Sequence, residues 1–311
     1  MKHLQVVGKE RNNSMKLFYL AILFLFNCSI LFYRPNNINP VEFNYEAIAS
    51  THFGPEQEEP YPLTVRKGIN TYGSTTKDGR FLFFTSDVGG NYDIVFRDLK
   101  SSVIIPITKH PANETKPAIS PDGKKLVYVS EQFDSDGDLM YLEIEPEEWL
   151  EAYVKGVRYG TKERSRVITN PNFNNPSKIV RAVDTDPSWS PDGKLIVYAT
   201  SSFTPGITNI AIIDTTKNFE ITQITDKGGA SPVFSFDGKK VYYLSYKDND
   251  KGELYEINLE DKSERRLTND NYFDFSPTVS FDGKYLFYTS IRKDTNENGK
   301  LDTRDNAFII R

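Results

Sequence analysis

A twelve-residue phrase occurs five times and limits what this chain can become. It reads TTKDGRFLFFTS from Thr75, ISPDGKKLVYVS from Ile119, WSPDGKLIVYAT from Trp189, FSFDGKKVYYLS from Phe234 and VSFDGKYLFYTS from Val279. Each copy carries a polar lead-in, an Asp-Gly pair, a basic residue and an apolar-aromatic run ending in Ser or Thr. This is half a β-hairpin. The Asp side chain bonds nearby backbone and Gly accepts the positive φ that closes a turn. The run that follows has the β-branched and aromatic content of a half-buried strand. The structural turns are therefore Asp78-Gly79, Asp122-Gly123, Asp192-Gly193, Asp237-Gly238 and Asp282-Gly283. The same role repeated in every unit argues structure rather than catalysis.

The turn aspartates are 44, 70, 45 and 45 residues apart. A period of about 40–45 residues with four strand signals belongs to a propeller blade rather than a helical solenoid. A threonine closes each unit, at Thr108, Thr169, Thr225 and Thr268, and Pro62-Leu63-Thr64 stands before the first turn in the same phase. The chain thus opens on a unit's last strand and closes, at Asn306–Arg311, after a unit's third. The expectation is an all-β propeller of five four-stranded blades, or six if the lead-in holds another. An N-terminal strand pairing into the last blade would close it and remove an open edge. The phrase resembles the PD40, or WD40-like, repeat of TolB-type β-propellers. SPDGK stands at Ser120–Lys124 and Ser190–Lys194, while Lys77, Phe236 and Phe281 replace the proline elsewhere. The resemblance covers roughly residues 61 to 311. It implies a propeller and, by analogy, an envelope protein that binds other proteins.

Residues 1–27 read as a secretory leader. Lys2, Lys9, Arg11 and Lys16 precede an apolar run from Leu17 to Phe26, too short to span a bilayer but suited to a signal peptide. Met15 is an alternative start. The single cysteine, Cys28, stands where a lipoprotein signal peptide places its lipidated residue, in a box Leu25-Phe26-Asn27-Cys28 that resembles a lipobox at its ends. These residues predict cleavage before Cys28 and a lipid anchor there, with an exported, periplasmic or outer-membrane domain. Residues 28–60 carry Pro, Asn and acids without periodicity and read as a tether. The domain then runs over 61–311 with an insertion at about 145–180, accounting for the long spacing. Glu145–Gly156 reads as a short helix, with Pro at its start and Trp149 and Tyr153 four apart.

The formal net charge is −5 with no basic tract, which argues against nucleic acid as a partner. No Gly-x-Ser-x-Gly or His-Glu-x-x-His occurs, and the three histidines, His3, His52 and His110, are scattered. The one metal-like pattern is Asp294 to Asp305. Asp294, Asn296, Asn298, Lys300 by its carbonyl, Asp302 and Asp305 fall at positions 1, 3, 5, 7, 9 and 12, with Gly299 at 6. That is EF-hand-type Ca²⁺ spacing, ending in Asp instead of Glu. Asp134-Ser-Asp136-Gly-Asp138 and Asp248-Asn-Asp250-Lys-Gly252 are poorer versions that read as turns. The functional expectation is a non-enzymatic envelope scaffold for protein partners, with Ca²⁺ in its last blade. The alternative is a propeller that binds or cleaves carbohydrate.

Overall fold

The computed structural model describes residues 68–156, 165–170, 181–270, 272–280 and 282–291, together with the backbone of 306–310. It is a succession of five antiparallel sheets. The first holds β1 (Asn70–Thr75), β2 (Phe81–Ser86), β3 (Asp93–Asp98) and β4 (Ile104–Pro106). The second holds β5 (Glu114–Ile119), β6 (Lys125–Ser130), β7 (Asp138–Glu143) and β8 (Arg166–Val167), with helix α1 (Pro146–Val154) between its last two strands. The third is β9 (Asp184–Trp189), β10 (Leu195–Thr204), β11 (Ile207–Asp214) and β12 (Glu220–Gln223). The fourth is β13 (Ala230–Phe234), β14 (Lys240–Ser245), β15 (Glu253–Asn258) and β16 (Glu264–Arg266). The fifth shows β17 (Phe273–Val279), β18 (Leu286–Ile291) and β19 (Asn306–Ile310).

Every sheet is a meander, each strand pairing with its sequence neighbour. The first strands β1, β5, β9, β13 and β17 each lie beside the next, so they form the inner layer of a propeller. The fold is the all-β propeller read from the repeat, with five sheets among the described residues. The closing strand expected at Pro62–Thr64 lies outside the described residues.

The core sits between sheets rather than within one. Phe81, Phe83, Ile94, Phe96 and Ile105 of the first sheet pack against Leu126, Tyr128, Met140 and Leu142 of the second. Comparable clusters join the second to the third, the third to the fourth and the fourth to the fifth. β6 is buried nearly throughout because one face meets the first sheet and the other the third, which is why its sequence is continuously apolar instead of alternating.

The repeated phrase forms the turn between the first and second strands. In the second sheet Ser120 Oγ donates to Asp122 Oδ1 at 2.6 Å and accepts from the Lys125 N–H at 2.9 Å, while Asp122 Oδ1 accepts from the Lys124 N–H at 3.0 Å. The same Ser or Thr to Asp bond, 2.6 Å each time, recurs at Asp78, Asp192, Asp237 and Asp282. These bonds hold the Asp122, Asp192, Asp237 and Asp282 carboxyls below the usual range against a modest desolvation cost, which is the largest influence only at Asp122.

The turns also touch one another. A Cβ on Gly283 would come within 2.6 Å of Phe236 Cβ, and one on Gly123 within 3.2 Å of Thr76 Cγ2. Gly193 and Gly238 rest in the same manner on Pro121 and Pro191. Gly123, Gly193, Gly238 and Gly283 thus combine a positive φ with contact on the turn of the preceding sheet.

Candidate functional site

A second repeated feature lies on the inner strands. Tyr72, Lys116, Asp186, Ser231 and Ser276 all have positive φ, from 48° to 55°. Each stands six residues before its turn aspartate and sits in a register shift between the first and second strands. A left-handed residue without glycine's freedom costs on the order of 1 kcal/mol or more, so five such positions are a maintained device. The bulge turns these side chains toward each other. Lys116 Nζ bonds Asp186 Oδ1 at 2.6 Å and Thr185 Oγ1 at 2.5 Å, and lies 5.5 Å from the Tyr72 ring centroid. Ser231 Oγ donates to Asp186 Oδ2 at 3.3 Å. A polar chain therefore crosses four sheets along the inner layer.

The end where the first strands begin and the second strands finish is apolar at its surface. Ile69, Val88, Val183, Phe203, Ile207, Tyr246 and Phe273 lie there, each exposed. The β10–β11 hairpin carries Phe203 and Ile207 beyond the length of the other strands.

Just beneath that end, the third strand of one sheet meets the first strand of the next through facing polar side chains. Asp93 is set against Glu114, Asp138 against Asp184, and Glu253 against Asp274. The third-to-fourth junction has Asn209, whose Oδ1 accepts from the Gly228 N–H at 3.0 Å, beside Gly229. Closing threonines serve these seams: Thr108, Thr169, Thr225 and Thr268 each accept from a backbone N–H of the third strand at 2.8–3.0 Å. Burial pushes Glu114 up to about 7, with Asp93 adding repulsion and Ser130 opposing it. Burial also raises Asp138 to about 7, helped by Asp134 and Asp184, and Asp184 to about 6.

Glu114 gives a pH dependence of stability. Its folded form binds a proton more tightly than the unfolded chain does, so folding takes up a proton between the ordinary glutamate range and about pH 7. Stability therefore falls as pH rises through that window. In chelator, the wild-type melting temperature should be several degrees higher at pH 5.5 than at pH 8. Glu114→Gln, which cannot ionise, should reduce that difference, the rest belonging to Asp138 and Asp184; an equal slope in the variant would remove Glu114 as a source.

Most candidate site residues read from the sequence lie elsewhere. Cys28 and the Ca²⁺-type loop of Asp294, Asn296, Asn298, Lys300, Asp302 and Asp305 lie outside the described residues. The ten turn residues sit at the opposite end of the sheets from the acidic seams. The inner-strand bulges carry five different environments and four residue types, so identity gives no sign of them. Their fixed offset from each turn aspartate was the available signal.

Five meandering sheets with adjoining inner strands define the chain as a β-propeller. Residues 173–297 match the family model for the TolB beta propeller domain, PD40. The Tol-Pal system protein TolB of Francisella tularensis is 24% identical over 201 residues, which are 55% of this chain and 44% of that protein. The match thus spans less than half the length of those curated relatives. The fold is also that of TolB from Acinetobacter baumannii, with a TM-score of 0.58 at 17% identity, covering 81% of this chain and 60% of the other. A TolB-assigned structure from Agrobacterium tumefaciens has a TM-score of 0.55 at 18% identity, covering 75% and 74%. The chain is thus a β-propeller similar to the TolB propeller, with its PD40 match over residues 173–297.

Proposed function

We propose that this chain is a non-enzymatic protein-binding propeller of the cell envelope, which docks a partner on the apolar end of its sheets. The observation that carries this reading is the group of exposed large side chains at that end, Phe203, Ile207, Tyr246 and Phe273 among them. Apolar surface of this kind beside a polar rim is the ordinary signature of a protein interface. Similarity to proteins of the Tol-Pal system supports the envelope setting. We extend the reading to export through the leader and a lipid anchor at Cys28, giving a periplasmic or outer-membrane location. The Asp294–Asp305 spacing supports Ca²⁺ in the last blade.

The test is affinity capture from native envelope extract, with the full chain as bait beside the double variant Phe203→Ser, Tyr246→Ser. Both residues are exposed, so the variant should melt like the wild type. A specific envelope protein retained by the wild type and lost by the variant is the expected result. Capture of the same protein by both would move the interface elsewhere. Capture of nothing, with binding on a glycan array, would replace this reading with the carbohydrate one.

A further inference from the structure

The four described seams balance their charge in different ways. Glu253 accepts from Arg266 Nη2 at 2.6 Å and from Thr268 Oγ1 at 2.6 Å. Glu114 has His110 Nδ1 3.9 Å from its Oε1, and Lys109 acts on its neighbour Asp93. The Asn209–Gly229 seam is neutral. The seam between the second and third sheets gathers three acids, Asp134, Asp138 and Asp184, and among the described residues none of these three forms an ion pair with Lys, Arg or His.

Their hydrogen bonds account for half of each carboxylate at most. Asp134 Oδ1 accepts the N–H groups of Asp136 and Gly137 at 2.8 and 3.1 Å, which is the turn read from the sequence, but Asp134 Oδ2 is buried with no donor. Asp138 is hydrogen-bonded by the Asn170 amide and accepts the Thr169 hydroxyl on Oδ1 at 3.4 Å, while its Oδ2 has no protein donor. Asp184 Oδ1 has none either. Asp138 is 1% exposed and Asp184 3%, so these oxygens are shut off from bulk solvent. Asn170, fully buried, adds an amide next to Asp138. An unpaired buried carboxylate is among the costliest groups a fold can carry, and three side by side compound that cost.

We propose that Asp134, Asp138 and Asp184 hold a hard divalent cation of the Ca²⁺ class at the junction of the second and third sheets. The donor set is all oxygen, as such ions require, and contains no thiolate or imidazole. The trio of acidic groups already within 4.8 Å of one another is Glu253, Asp270 and Asp274, where Arg266 supplies the positive charge. The wider-set seam oxygens would be drawn together on binding, tightening the Asp134 loop onto the third sheet.

The test is CaCl₂ titration of the full chain at pH 8, read by calorimetry and by thermal melting against a chelated sample. At about a hundredfold excess over Kd the melting temperature should rise by roughly 5 °C or more. In an Asp302→Asn background, which disables the Asp294–Asp305 loop, Asp138→Asn and Asp184→Asn should each abolish the remaining rise and weaken binding at least tenfold. Both variants relieve repulsion, so in chelator they should melt no lower than the wild type, which separates lost binding from lost folding. Asp302→Asn alone should retain a rise, separating this site from the Asp294–Asp305 loop. A rise of the same size in Asp138→Asn and Asp184→Asn as in their Asp302→Asn parent, or none in the wild type, would overturn the assignment.

Discussion

Replacing Phe96 with Ala should lower the melting temperature by about 8–15 °C. Phe96 is fully buried, stacked on Phe83 with centroids 5.7 Å apart and set edge-on to Phe81 at 5.8 Å. On its remaining side it meets Trp149 of α1, 6.2 Å away. The ring therefore belongs at once to the first sheet and to the helix inserted into the second. Truncating a buried phenylalanine costs about 3–5 kcal/mol in transfer and cavity terms. Each kcal/mol moves the melting point of a domain this large by roughly 2–4 °C. The chain has two tryptophans, so in a Trp189→Phe background fluorescence reports Trp149 alone. Its emission should shift to the red in Phe96→Ala. A melting point within 2 °C of wild type and an unmoved spectrum would mean that the helix is held by other contacts.

Arg266→Met should destabilise by a similar amount for an electrostatic reason. Glu253 is wholly buried, and its Oε1 accepts from Arg266 and from Asn249. Methionine keeps much of the arginine's apolar length but removes the positive charge, leaving Glu253 beside the buried Asp274. Breaking one side of a buried ion pair costs about 3–5 kcal/mol, chiefly as the penalty of the charge left behind. Glu253→Gln in the Arg266→Met background should recover much of that loss, because a neutral amide no longer needs the guanidinium. Urea unfolding of the two single variants and the double variant closes the cycle. Additive losses would show that Arg266 acts through its packing.

Much of this architecture is legible in the chain. The five Asp-Gly turns mark the five described sheets and the start of each second strand, because a turn that needs positive φ leaves few alternatives to Gly. The closing threonines mark the end of each fourth strand, since their hydroxyls bond back to the third. The helix at Pro146 is announced by its proline and first-turn acids. The inner-strand bulges are not legible by residue type: Tyr72, Lys116, Asp186, Ser231 and Ser276 share a backbone conformation rather than a chemistry. The seam acids were hidden for a related reason. Asp134-Ser-Asp136-Gly-Asp138 reads as a turn, and one oxygen of Asp134 does make that turn. What Asp134 Oδ2 faces depends on Asp184, fifty residues on, which only the packing of two sheets brings near.

The contact between successive turns has a direction. Gly123 rests on Thr76, Gly193 on Pro121, Gly238 on Pro191 and Gly283 on Phe236, always later upon earlier. The sheets are laid like roof tiles, each overlapping the one before it. As the chain leaves the ribosome from its N-terminus, every new turn meets a finished seat already in place. A sheet moved to another place in the order would have to match the turn beneath it as well as the one above.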